Sequence, residues 1–209
     1  MKVYFYGDSI TDMGRNRDTM GVFSYGNGYV FFATGDLKKA DPNIEVVNRG
    51  ISGNKVVDLY ARVKDVWNHK PDVLSILIGV NDVWHEIGSQ NGVEIDRFEK
   101  VYRMLIEDTL KVLPNVKIML LEPFVLKGAA TELNFDKFLA VKDYAKIVKN
   151  LSEEYGLFFV PLQKAFEKGA EKNGAEKYLY DGVHPDILGA RLIADCWLEV
   201  YNERVKKSI

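Results

Sequence analysis

A serine hydroxyl becomes a nucleophile when an imidazole takes its proton, and the imidazole does so best when a carboxylate fixes its other nitrogen. This chain holds those groups in short polar segments: Ser9 in Gly7-Asp8-Ser9-Ile10-Thr11, and a pair in Asp181-Gly182-Val183-His184-Pro185. A carboxylate three residues before a histidine on a short loop can accept the Nδ1 proton and leave Nε2 free as a base. Asn81 can donate a side-chain N–H, and a turn glycine such as Gly53 can present its backbone N–H unobstructed. Together with the N–H of Ser9 they would form an oxyanion hole. Taken singly, each has a plainer use. Ser9 could cap a helix, the Asp181/His184 segment could be a surface turn, and Asn81 and Gly53 could be ordinary turn formers. The serine segment is also not a Gly-x-Ser-x-Gly elbow, because Thr11 stands where the second glycine would be. His69, beside Lys70-Pro71 at a helix end, and His85, with no partner motif, read as structural.

Residues spread from 9 to 184 meet only if the elements between them bring them to one place. Five β-rich apolar runs, Lys2–Tyr6, Ile44–Asn48, Asp72–Ile78, Val116–Leu121 and Leu157–Pro161, alternate with stretches of helical period. That is the pattern of an α/β domain on a parallel sheet. Val56, Leu59, Tyr60, Val63, Val66 and Trp67 form one apolar stripe, and Phe138, Val141, Ala145, Val148 and Leu151 form another; both predict amphipathic helices. Further helices are expected over Asp96–Leu113, closed by Pro114, and from Asp186 to about Lys206, with Pro185 at the first turn. The irregular stretches Thr11–Asn27, Pro123–Asn134 and Asn173–Val183 are candidate site loops. In an open parallel sheet, ligands sit beyond the carboxyl ends of the strands. Ser9, Gly53 and Asn81 each follow a predicted strand at that edge.

Composition narrows the classes. The 209 residues suit one domain over 1–209, and a formal charge of −2 with both signs dispersed gives no polyanion-binding stripe, so no nucleic-acid partner is expected. A single cysteine, Cys196, excludes an internal disulfide and reads as a buried structural thiol, which points to a cytoplasmic setting. The apolar run before Gly7 is too short for a signal-peptide core, and no stretch approaches a membrane span. Metal and nucleotide chemistry lack their signatures: there is no His-Glu-x-x-His, no paired cysteine spacing, no Gly-x-Gly-x-x-Gly after a strand and no Gly-Lys-Ser/Thr.

Four ordered segments carry a resemblance: Gly7-Asp8-Ser9-Ile10-Thr11, Gly53 in Ile51-Ser52-Gly53-Asn54, Asn81 in Gly79-Val80-Asn81-Asp82, and His184 in Asp181-Gly182-Val183-His184-Pro185. The chain resembles the SGNH/GDSL hydrolases over nearly its whole length, with Ile10 in place of the eponymous leucine. Ile10-Thr11-Asp12-Met13-Gly14-Arg15, Gly26-Asn27-Gly28-Tyr29-Val30, Asn48-Arg49-Gly50 and Val83-Trp84 make it similar to acetylxylan-esterase-like members. The resemblance implies a three-layer α/β/α flavodoxin-like fold with a five-stranded parallel sheet in the order 2-1-3-4-5. It implies a catalytic Ser9, Asp181 and His184, an oxyanion hole of Ser9, Gly53 and Asn81, and no cofactor or metal. It further implies an oligosaccharide or small-molecule ester as substrate, removal of short acyl groups through an acyl-enzyme, and a homo-oligomeric habit. Trp84, Tyr180 and Asp8 are the candidate substrate contacts. The same segments occur in lysophospholipases and thioesterases, for which Phe124-Val125-Leu126 would line an acyl channel or simply pack a loop on the core. A non-catalytic carbohydrate-binding protein on the same fold is the reading from another class.

Overall fold

The computed structural model describes residues 1–209. Five strands, β1 (Lys2–Gly7), β2 (Glu45–Gly50), β3 (Val73–Leu77), β4 (Lys117–Leu121) and β5 (Phe158–Val160), pair in parallel in the order β2-β1-β3-β4-β5. The expected strands, fold class and strand order are all present, with ends shifted by one or two residues. Strand periodicity explains the layers, because successive side chains leave opposite faces of the sheet. On β1, Phe5 points to one face, where it packs on Tyr29 and Trp197. Tyr4 and Tyr6 point to the other, donating hydroxyl protons to the carbonyls of Asp65 and Leu59. The first face is covered by α2 (Tyr29–Ala40) and α10 (Ile187–Val200), which pack together; the second by α3 (Val56–Ala61), α4 (Lys64–Trp67), α6 (Ile95–Val112) and α8 (Val141–Glu154). No helix is long and apolar enough to cross a membrane.

Several helices differ from expectation for identifiable reasons. The single helix expected over 56–67 is two, α3 and α4, broken at Arg62, whose guanidinium turns inward to the carbonyls of Arg49 and Gly7 and lies over the Tyr6 ring at 4.2 Å. Phe138 closes a separate turn, α7 (Phe135–Phe138), before α8 begins. Pro185 lies outside the last helix, because Asp186 is the cap: its carboxylate accepts the Ile187 N–H. Regular α10 ends at Val200, followed by a wider turn over Tyr201–Val205 and a tighter one over Lys206–Ser208. Three helices stand where none is expected above: α2, α5 (Val80–Ser89), whose Val80, Val83, Trp84 and Ile87 repeat at helical spacing, and α9 (Gln163–Asn173). Cys196 is half-buried, and burial pushes its thiol up to about 11, so it is inert as a thiolate.

Strand register aligns the loops at the sheet edge. Gly7, the last residue of β1, is opposite both Gly50 of β2 and Leu77 of β3. The segments leaving these three strands therefore start level and side by side.

Candidate active site

Beyond Gly7 the chain makes a single helical turn, α1 (Ser9–Asp12). Its cap is Asp8, whose Oδ1 accepts the Ile10 N–H at 2.9 Å. The capping role open to Ser9 is thus taken by its neighbour, and the Ser9 hydroxyl is left free. Ser9 N–H, first in a helix, has no acceptor within that helix. The Ser9 Oγ lies 2.8 Å from His184 Nε2, and His184 Nδ1 lies 2.7 Å from Asp181 Oδ2. The other carboxylate oxygen of Asp181 accepts the backbone N–H groups of Val183 and His184 at 2.9 and 2.7 Å. One carboxylate thus shapes the loop and holds the ring.

That loop is supported by two of the expected site stretches. Leu179 and Pro185 pair across its base, Tyr180 N–H donates to the His184 carbonyl, and Leu126 and Ala130 donate to the carbonyls of Gly182 and Asp181. Phe124, Val125 and Leu126 are buried, with Phe124 against Phe166 at 4.3 Å. They pack this segment on the core and line no acyl channel.

Asn81 sits in the first turn of α5. One amide hydrogen goes to the Asn54 carbonyl at 3.0 Å, which leaves the other to point elsewhere. Gly53 has φ 82, a left-handed conformation that glycine adopts without strain, and its N–H meets no acceptor in the protein. Next to Asn81, the buried carboxylate of Asp82 accepts the Val56 N–H at 3.1 Å. Two consecutive residues of α5 therefore grip the segment from Gly53 to Val56 at two points, fixing one candidate donor relative to the other.

Charge at the site is set by these contacts. The hydrogen bond that His184 donates to Asp181 raises its pKa above the ordinary 6.5, against the opposing effect of burial. Burial pushes Asp181 up, but its bonds to the His184 ring and to two backbone N–H groups outweigh this and leave it below the usual range. Burial raises both Asp8 and Asp82 to about 7.

The expected substrate contacts fare unequally. Asp8 is completely buried beneath the serine, with Oδ2 unpartnered, and no substrate can reach it. Trp84 is held between Phe138 and the His184 ring, each 5.7 Å away. Tyr180 lies nearly parallel to the His184 ring at 5.8 Å and is 55% exposed, the more open of the two aromatics. His69 is structural, its Nδ1 2.7 Å from the Asp65 carbonyl. His85 is closer to the site than expected: a side chain on Gly53 would meet its ring at 3.9 Å. It comes four residues after Asn81 on one helix, and that i, i+4 spacing is the signal that placed it there.

Comparison with known proteins gives the family. The model of the GDSL-like Lipase/Acylhydrolase family matches residues 5–192. The acetylxylan esterase of Geobacillus stearothermophilus is 38% identical over 207 residues, covering 94% of this chain and 92% of its own. The crystal structure of Axe2, an acetylxylan esterase from Geobacillus stearothermophilus, superposes with a TM-score of 0.84 at 36% identity over 95% of this chain and 93% of that one. A GDSL-like lipase from Parabacteroides merdae superposes with a TM-score of 0.92 at 40% identity, covering 96% and 95%. The chain belongs to the GDSL-like lipase/acylhydrolase family, and with it to the carboxylic ester hydrolases.

Proposed function

We propose that this enzyme removes short acyl groups, acetyl above all, from carbohydrate esters such as acetylated xylo-oligosaccharides, through an acyl-enzyme on Ser9. The observation that carries the chemistry is the unbroken line of hydrogen bonds from Ser9 Oγ through the His184 ring to Asp181. Ser9 Oγ attacks the ester carbonyl as His184 Nε2 takes its proton, giving a tetrahedral intermediate. The N–H groups of Ser9 and Gly53 and the free amide hydrogen of Asn81 receive the oxyanion. The C–O bond to the sugar breaks, and His184 returns the proton to the departing alkoxide. Water then attacks the acyl-serine with His184 again as base, releasing the carboxylic acid and the free serine. Asp181 keeps Nδ1 protonated and stabilises the imidazolium formed in each half. None of these steps requires a cofactor.

The acetyl and carbohydrate parts of the reading are supported by the likeness to an acetylxylan esterase. The exposed Tyr180 face beside His184 also suits a sugar ring. Each methylene added to an acyl chain changes transition-state binding by about 1–3 kcal/mol, so an eight-carbon chain is well separated from acetate. The test is kcat/KM along a p-nitrophenyl ester series from acetate to octanoate, with acetate release from acetylated xylobiose. Preference for acetate together with acetate release is the expected result. Preference for octanoate with no acetate released replaces this substrate with a lipid or thioester substrate at the same serine. Failure of an organophosphonate ester to label Ser9 would instead favour a non-catalytic carbohydrate-binding protein.

A further inference from the structure

A cavity of about 390 Å³ runs along the outer edge of β2, where the 15–25 segment, Lys38 and His69 close over the strand. The ester chemistry makes no use of it. Its lining is unusual in charge: Arg15, Arg17, Lys38 and Arg49 face it, and Glu45 is its one carboxylate. Three of these charges are already answered. Arg17 pairs with Asp12 at 2.9 Å, Lys38 donates to the Ile44 carbonyl at 2.9 Å, and Glu45 lies 3.4 Å from Lys2.

Arg15 and Arg49 are different. Arg17, Arg62, Arg97, Arg103 and Arg191 each meet a carboxylate, but these two meet none; Arg204, which also meets none, is exposed and lies over the Phe158 ring at 5.6 Å. Arg15 places Nε on the Gly50 carbonyl and Arg49 places Nε on the Tyr4 hydroxyl, both at 3.0 Å, and the terminal nitrogens of both forks have no acceptor in the protein. Both side chains are half-buried. Burial lowers the Arg15 pKa; Asp12 opposes this, while Arg17, Arg49 and Arg62 push it further down. A cationic cluster partly withdrawn from water is costly unless an anion answers it. A guanidinium anchored by Nε, with its fork free, is pre-oriented for two parallel bonds to a carboxylate or phosphate. A fully solvated arginine would need no partner, but these two are neither fully solvated nor free to turn.

We propose that this cavity is an anion-binding site in which the forks of Arg15 and Arg49 grip a carboxylate or phosphate group of a small ligand. The site stands apart from the ester chemistry, and its test does not depend on turnover. The volume falls at the lower end of small-molecule sites, which suits a group of sugar size. An acidic sugar and a phosphate-bearing metabolite present the same chemistry to the forks, and titration with each distinguishes them.

The experiment is isothermal titration calorimetry at low ionic strength, where screening is weak, with inorganic phosphate, D-glucuronate and, as a neutral control, D-xylose. The proteins are the natural sequence, Arg15→Gln/Arg49→Gln, and Lys206→Gln/Lys207→Gln, which removes the same charge from an exposed end. Saturable binding of either anion is expected, unchanged in the lysine variant and weaker by roughly tenfold or more in the arginine variant, with no response to xylose. Tighter binding of phosphate assigns the site to a phosphate-bearing ligand, and tighter binding of glucuronate to an acidic sugar. Should the arginine pair prove necessary for folding, Arg49→Lys keeps the charge, removes the fork and is expected to weaken binding several-fold. Absence of saturable binding by both anions, or equal affinity in the natural sequence and the arginine variants, overturns the proposal.

Discussion

Ser9 Oγ has one partner, His184, and His184 has two, Ser9 and Asp181. Such a line acts as a unit, so its losses do not multiply. Ser9→Ala is expected to lower kcat by about 10⁴-fold or more while leaving the thermal midpoint nearly unchanged; a folded variant with a tenth of the activity would exclude the nucleophile. Asn81→Ala is expected to lower kcat by about 10²–10³ with KM little changed, because the oxyanion exists only after attack. A raised KM at constant kcat would make Asn81 a ground-state contact instead. The base must be neutral to act, and its pKa is raised by Asp181. kcat/KM should therefore fall with decreasing pH along a limb centred above 6.5, and Asp181→Asn should carry that limb to lower pH as it reduces the rate. A limb unmoved in that variant would detach it from His184. The meeting of Ser9, His184 and Asp181 was legible in the sequence because it depends on residue type and order. The place of Asp8 was not, since proximity to Ser9 in the chain does not tell which side of the turn a side chain takes.

At the scale of elements, the proposed oxyanion donors belong to different pieces of structure, Gly53 to the segment before α3 and Asn81 to α5, and Asp82 joins the two through Val56. Asp82→Asn retains an acceptor for that N–H, whereas Asp82→Ala does not. The asparagine variant is expected to stay within a few-fold of the natural kcat and the alanine variant to fall by about 10²-fold at similar KM, the scale of a small misplacement of catalytic groups. Equal behaviour of the two would mean that the clamp is immaterial. Gly50 does a related service for Ser9: a Cβ there would collide with the backbone of Thr11 and Asp12, so α1 lies directly on β2. Strands were readable from their β-branched runs, and α6 and α8 from their stripes. α9 was not, because it buries Phe166 alone and has no stripe to show. The break between α3 and α4 was hidden too, since it is imposed by acceptors on β1 and β2 far away in the chain.

At the scale of the whole molecule, Trp197 of α10 fastens one helical layer to the sheet. It is fully buried, donates Nε1–H to Ser75 Oγ of β3 at 3.0 Å, and packs on Phe5 of β1 and on Tyr201. Trp197→Ala should cost about 3–5 kcal/mol, enough to lower the thermal midpoint by on the order of 10 °C in a chain of this size. kcat measured well below that midpoint should stay within a few-fold. A matching collapse of kcat in the folded protein would show that this layer positions the site as well as stabilising it.

The serine and its base are 175 positions apart in the chain. At roughly 5–20 residues per second of synthesis, the proposed nucleophile leaves the ribosome on the order of ten to thirty seconds before the histidine proposed to activate it. During that interval a nascent chain carries an inert alcohol, however much of its sheet has formed. Hydrolysis thus begins only when the last of the parallel strands is in place and the loop after it has docked, which makes the first turnover a timer for completed folding. Ester cleavage tracked during cell-free translation would read that moment directly, without any label on the protein.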